Sequence, residues 1–217
     1  MTRGDQKAEL SAKSVAQDDD FKISGTAKES KEVQILTIAP KGSSGSMIDG
    51  GSKWTKGTLD DTSIYYKTTS VSTTDDTFEK KIDVGPDADT GSYLVILITP
   101  GSDGKYGKAG VGKLVDETSK TSDAALNGYY LIAKTQEQML EIIEDAISIT
   151  LSDDLKWIGY IKVESPYVTL DPIADVGIGE PLVVTGTTNR EEGFSIVVTC
   201  KGPTELEPQT VFVENGK

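Results

Sequence analysis

Two apolar stretches near the start of this chain indicate its fold. They are Phe21-Lys-Ile-Ser-Gly-Thr-Ala27 and, after a charged turn, Val33-Gln-Ile-Leu-Thr-Ile38. A second version occurs later, with Leu182-Val-Val-Thr-Gly-Thr-Thr188 followed by Phe194-Ser-Ile-Val-Val-Thr199. Each copy contains a strand, a Gly-Thr pair, a short polar turn and a second strand. An internal repeat of this kind predicts tandem modules built from one β-unit.

Strand patterns dominate the rest of the chain, as alternating or β-branched apolar runs bounded by Gly, Pro, Asp and Ser. We predict strands near residues 8–15, 21–27, 32–39, 63–72, 77–84, 92–99, 156–164, 167–171, 182–188, 193–200 and 209–214. The turn at Asp87–Tyr93 enters the apolar run Leu94–Ile98. It resembles the corner before strand F of immunoglobulin-like sandwiches, where an inward tyrosine pins a loop. The predicted fold is mostly β, with tandem immunoglobulin-like β-sandwich modules and a small α-helical insertion in the first.

Residues 101–154 form the predicted insertion. It opens with a glycine-rich hinge at 101–112 and continues into a helical pattern, where Thr135 and Gln138 have capping-box spacing. An apolar stripe follows, at Met139, Ile142, Ile143, Ala146 and Ile147. A shorter helix is predicted at Val111–Ala125.

Two domains follow from these patterns. The first spans 1–165 and includes the insertion at about 101–154. The second spans 167–217 and is a truncated module, because it has no counterpart of Phe78–Asp83 or Tyr93–Ile98. We expect it to expose an unpaired strand edge unless it packs on the first module or pairs with another chain.

Composition excludes several function classes. The chain has 217 residues, with 22 Lys and Arg against 35 Asp and Glu, and a net charge of -13. This balance argues against nucleic-acid partners and against contact with anionic membranes. Histidine is absent, which removes the commonest general base and transition-metal ligand. The single cysteine, Cys200, is predicted to lie buried in a strand. The polar start and the strand pattern at the end lead us to expect a piece of an exported chain, although a cytoplasmic protein stays open.

Turn aspartates are the candidate metal ligands. Calcium takes six to eight oxygen ligands and often stiffens the junctions of extracellular β-modules. Solvated turn carboxylates are the simpler interpretation. If calcium binds, Asp87 and Asp89 are the first choice and Asp171 and Asp175 the second.

No catalytic constellation emerges from the sequence, and we predict that the chain is not an enzyme. The loop Gly107–Leu114 has phosphate-loop spacing, but Leu114 stands where a hydroxyl residue is needed to hold magnesium. Trp54, Tyr65 and Tyr66 lie on either side of an acidic turn, which leaves open a carbohydrate-binding platform beside ordinary core packing. The alternative function is therefore a secreted adhesin or carbohydrate-binding module.

Four segments together resemble the repeated modules of surface-layer glycoproteins from methanogenic archaea. They are Phe21–Ala27, Thr37–Gly42, Asp89–Val95 and Pro181–Phe194. The resemblance implies an exported structural subunit that assembles with copies of itself into an envelope lattice at the cell surface, without catalytic activity. One departure concerns glycosylation, because Asn127, Asn189 and Asn215 all lack the Asn-x-Ser/Thr context.

Overall fold

The computed structural model describes residues 5–50, 64–100, 104, 131, 133–148, 154–202 and 206–216. The chain is mostly β, with several sheets and one short α-helix in this part. The first eight strands are β1 (Gln6–Leu10), β2 (Ser14–Ala16), β3 (Asp20–Ala27), β4 (Glu32–Ile38), β5 (Ile64–Ser70), β6 (Thr77–Asp83), β7 (Gly91–Thr99) and β8 (Leu155–Glu164). The last four are β9 (Val168–Leu170), β10 (Gly186–Thr188), β11 (Ser195–Val198) and β12 (Gln209–Phe212). The helix α1 is Gln136–Ile147, and Gly42–Ser44 forms a 3-10 turn.

Strands β1 to β8 form two sheets, which we call the N-terminal unit (residues 5–164). One sheet has the order β1-β3-β6 and the other the order β2-β8-β7-β4-β5. Neighbouring strands are antiparallel except β2 and β8, which run parallel. The prediction of one continuous strand over 8–15 is wrong, because β1 and β2 lie in different sheets. Ser11 ends the pairing with β3 through two hydrogen bonds to the backbone of Lys22, and the chain then crosses to β8.

The core lies between these two sheets. Phe21 and Ile23 from β3 meet Tyr93 and Val95 from β7 and Ile161 from β8, and none of the five is more than 1% exposed. Alternate residues of each strand point to one face of a sheet, so the other face needs separate cover. On β7 that other face is also apolar.

Helix α1 covers the outer face of the five-stranded sheet. Met139 and Ile143 are fully buried there against Leu36 of β4 and Ile96 of β7. The predicted capping box is confirmed: Thr135 Oγ1 accepts from the Gln138 backbone and Gln138 Oε1 accepts from the Thr135 backbone. β4 and β7 are buried on both faces, which explains the unbroken apolar run Leu94–Ile98 in β7. The predicted helix at Val111–Ala125 lies outside the described residues.

Strands β9 to β12 form a smaller part, which we call the C-terminal unit (residues 165–216). It contains two separate antiparallel pairs, β9–β10 and β11–β12. The predicted strand over 182–188 is shorter than expected. Only its last three residues form a strand, β10. In the N-terminal unit β6 pairs with the second edge of β3, and among the described residues no strand takes that position beside β10.

The repeated glycine has the same structural role in both units. A side chain at Gly25 would collide with the Lys7 carbonyl, and one at Gly186 would collide with the Thr169 carbonyl. In both places the paired neighbouring strand approaches so closely that only glycine fits. The repeated glycine therefore reflects the same close approach of two strands in both units.

Candidate functional site

The predicted corner at Tyr93 is confirmed. The Tyr93 ring is fully buried. Its hydroxyl accepts a hydrogen bond from the Asp89 backbone N–H and donates one to the Ser46 carbonyl, both at 2.9 Å. Burial raises the pKa of the Tyr93 hydroxyl, so it stays protonated and able to donate. The corner ties the loop before β7 to the loop after β4.

Asp89 completes this connection. One carboxylate oxygen lies 2.7 Å from Lys41 Nζ, and the other accepts a hydrogen bond of 2.7 Å from the Ser46 backbone. Burial opposes the charged carboxylate, but the hydrogen bonds from Lys41 and Ser46 outweigh it and lower the pKa of Asp89. Both oxygens thus serve to fix the loop, and the structure gives Asp89 a structural role.

The other three candidate calcium ligands lie apart from this cluster. Asp87 is exposed on the same turn, whereas Asp171 and Asp175 are exposed in the C-terminal unit. Asp171 accepts a hydrogen bond of 2.7 Å from the Thr185 hydroxyl. Within the part of the chain that the structure describes, no three acidic, cysteine or histidine residues come together as a group able to hold a metal ion.

The two described residues of the predicted aromatic platform, Tyr65 and Tyr66, do not share one face. Tyr65 and Tyr66 are adjacent on β5 and therefore point to opposite faces of the sheet. Tyr65 is buried between the two sheets and Tyr66 beneath the helix. Burial raises the pKa of Tyr65 to about 12. Trp54, the third member of the predicted platform, lies outside the described residues.

A charged joint links the two units. The Arg190 guanidinium lies 2.9 Å from the Asp19 carboxylate, with 6% and 1% of the two side chains exposed. It also donates a hydrogen bond of 2.6 Å to the Gln17 carbonyl and stacks on the Phe194 ring at 3.8 Å. Burial raises the pKa of Asp19, and Arg190 acts against this by favouring the charged form. The pair is well enclosed, so it fixes the orientation of one unit on the other.

Asn189, next to Arg190 in sequence, fixes the first residues of the C-terminal unit. Its side-chain oxygen accepts a hydrogen bond of 2.9 Å from the Tyr167 backbone, and its nitrogen donates one of 3.0 Å to the Ser165 carbonyl. Sequence reasoning missed this joint. The available signal was the run Asp18-Asp-Asp20, because three adjacent carboxylates favour a nearby cation.

The C-terminal unit exposes an unusual amount of apolar surface. Of thirteen exposed large apolar side chains in the described residues, twelve lie at or after Tyr167 and only Tyr160 lies before it. Val183 and Phe212 are 71% and 63% exposed. Monomeric proteins rarely expose contiguous apolar patches beyond about 300–600 Å². The concentration in one unit therefore indicates an interaction surface.

An open cleft of about 400 Å³ lies between the two strand pairs of this unit. Leu170, Val184, Ile196, Val198 and Phe212 are among its lining residues. Among the described residues, no further strand pairs with β10 or β11. On β10 the outward Thr188 N–H donates to the Gly216 carbonyl, whereas no such bond is made at the β11 edge within the described residues. Edges with free N–H and C=O groups readily accept another strand.

Cys200 follows this region and is exposed, so the prediction of a buried cysteine is wrong. The reason is that β11 ends at Val198 and, among the residues that the structure describes, no further sheet covers the chain at Cys200.

No family model matches the chain, and no similar sequence is found among curated proteins. Among the residues that the structure describes, no helix is long and apolar enough to cross a membrane. Function is therefore inferred from the open apolar cleft and the strand edges of the C-terminal unit and from the charged joint between the two units.

Proposed function

We propose that this protein is a structural subunit of an archaeal cell-surface layer, which assembles with copies of itself into an envelope lattice outside the cell. The observation that carries the proposal is the open apolar cleft of the C-terminal unit, beside which no further described strand pairs with β11. A surface of that kind supports strand-mediated contact between subunits. The proposal assigns no catalytic step to the chain.

The proposal includes tandem immunoglobulin-like modules. In the N-terminal unit, the sheet orders, the parallel pairing of β2 with β8 and the tyrosine corner support this assignment. In the C-terminal unit, the repeated sequence and the matching role of Gly186 support a partial module of the same design.

A lattice needs fixed distances and angles between its parts. The buried pair of Arg190 and Asp19, together with the hydrogen bond from Arg190 to the Gln17 carbonyl, supports a rigid connection between the two units. The helix α1 covers one outer sheet face, so the proposal places the subunit contact on the C-terminal unit.

Light scattering and electron microscopy of the purified chain test this proposal. We expect ordered sheets or rings that grow with protein concentration. The experiment is run with and without millimolar calcium, because the exposed carboxylates of Asp87, Asp171 and Asp175 are the type of oxygen ligand that calcium takes on β-modules. A chain that stays dispersed at every concentration in both conditions would contradict the proposal.

A further inference from the structure

We propose that Glu191 and Asp20 share a proton across the joint between the two units, so that the joint becomes more stable as the pH falls. This inference goes beyond the proposed function, because it concerns how the two units of a single chain are held together. It follows from the position of these two side chains, from the buried Asp19 beside them and from the excess of acidic groups at the joint.

The two carboxyl groups come from different units. Asp20 is the first residue of β3 in the N-terminal unit, and Glu191 lies between β10 and β11 in the C-terminal unit. Their side chains lie within hydrogen-bonding reach of each other. Two carboxyl groups can form a hydrogen bond only when one of them is protonated, because a carboxylate has no hydrogen to donate. A proton bound at this pair therefore adds a hydrogen bond between the two units.

The backbone at Glu191 is fixed by the joint. Its N–H donates a hydrogen bond of 3.0 Å to one carboxylate oxygen of Asp19, and the other oxygen lies 2.9 Å from the Arg190 guanidinium. Arg190 also donates a hydrogen bond to the Gln17 carbonyl. The side chains of Asp19 and Asp20 are 1% and 22% exposed. These contacts keep Glu191 beside two enclosed carboxyl groups while the joint is closed.

Acidic groups outnumber basic groups at the joint. The charged side chains that interact there are Asp18, Asp19, Asp20, Asp83 and Glu191, with Lys81 and Arg190 as the bases. Arg190 pairs with Asp19, and Lys81 lies between two aspartates of the N-terminal unit. Repulsion between like charges is stronger in a partly buried place than in water. Closing the joint near neutral pH therefore brings Glu191 against charges that oppose it.

The pKa of Glu191 gives the direction of the effect. Partial burial of its carboxyl group in the joint raises this pKa above the ordinary 4.5, and the charges of Asp20 and Asp19 raise it further. Lys81 acts against them. Burial likewise raises the pKa of Asp19, although Arg190 favours its charged form. Groups with raised pKa values stabilise the closed joint fully below their ordinary pKa, and this stabilisation is lost as the pH rises through the closed-state value.

Amide hydrogen exchange followed by NMR on the dispersed full chain tests the proposal, because the Glu191 N–H is itself a contact of the joint. Its protection factor is corrected for the intrinsic pH dependence of exchange. We expect it to increase by roughly 3- to 10-fold from about pH 7 to about pH 5, since one extra bound proton changes an equilibrium by at most tenfold per pH unit. The amide of Ile23, in the N-terminal core, is the reference for global unfolding. A Glu191 protection factor that stays constant or decreases toward acid, or that changes no more than that of Ile23, would overturn the proposal.

Two neutral variants test the role of the Glu191 carboxyl group. Glu191→Gln keeps the backbone N–H, removes the charge and supplies a side-chain donor for Asp20 at every pH. Glu192→Gln removes the carboxylate of the adjacent exposed residue and is the matched control. We expect Glu191→Gln to raise the protection factor of the residue 191 amide near pH 7 and to flatten its pH dependence, and Glu192→Gln to follow the wild-type curve. Identical curves for the two variants would overturn the shared proton.

Discussion

At the scale of single residues, Tyr93 and Asp89 fix the loops at one end of the N-terminal unit. We expect Tyr93→Phe to lower the free energy of unfolding by about 1–3 kcal/mol, because the Asp89 N–H and the Ser46 carbonyl lose their partner in a buried place. Urea denaturation measures the change. Tyr160→Phe is the control, since Tyr160 is 56% exposed. Equal effects of the two substitutions would contradict the assigned role of the corner.

The charge of Asp89 gives a second residue-scale prediction. Its pKa is lower in the folded chain than the ordinary 3.8, so the carboxylate stabilises the fold above that pH. The stabilisation decreases as the pH falls through the lower, folded-state pKa. We expect Asp89→Asn to cost about 1–2 kcal/mol near pH 7 and much less near pH 2. Asp87→Asn removes an exposed carboxylate from the same turn and is the matched control. Equal losses of unfolding free energy in the two variants would contradict the assigned role of Asp89.

At the scale of elements, helix α1 acts as the cover of a sheet face. We expect Ile143→Ala to destabilise the chain by about 2–5 kcal/mol, because it leaves a cavity between the helix and the five-stranded sheet. Glu141→Ala changes an exposed residue of the same helix and should stay within about 0.5 kcal/mol of wild type. Thermal unfolding of both variants measures the difference, and a small effect of Ile143→Ala would show that the helix is not part of the core.

The elements were largely predictable from sequence, because their signals are local. Thr135 with Gln138 predicted the start of α1, and the Leu94–Ile98 run predicted a central strand. The division of residues 8–15 between two sheets was not predictable, since it depends on which distant strand pairs with each half. The shortening of 182–188 likewise reflects a missing partner strand, which no local pattern records.

At the scale of the whole molecule, the joint between the units determines its shape. Arg190→Gln leaves the Asp19 carboxylate without its cation, and breaking a buried ion pair costs about 3–5 kcal/mol. We expect the units to separate and the radius of gyration from small-angle X-ray scattering to increase. Lys201→Gln makes the same charge change at an exposed position and should leave the radius unchanged. An unchanged radius in Arg190→Gln would show that the joint does not depend on this pair.

The candidate site was only partly predictable. The repeat predicted an open edge in the second module, and within the described residues no further strand pairs with β10 or β11. The aspartates were chosen as calcium ligands because they lie in predicted turns, and the structure shows that Asp89 binds Lys41 and Ser46 instead. The joint through Arg190 escaped notice because its two charges are far apart in sequence and meet only after both units fold.

Hydrogen–deuterium exchange of the wild-type chain at increasing concentration shows whether copies assemble through the C-terminal unit. The edge of β11 should exchange quickly in dilute solution and become protected as copies assemble, while β1 and β6, the edges of the three-stranded sheet, stay unchanged. Exchange at β11 that does not depend on concentration, or protection that appears at β1 and β6 instead, would contradict assembly through this unit.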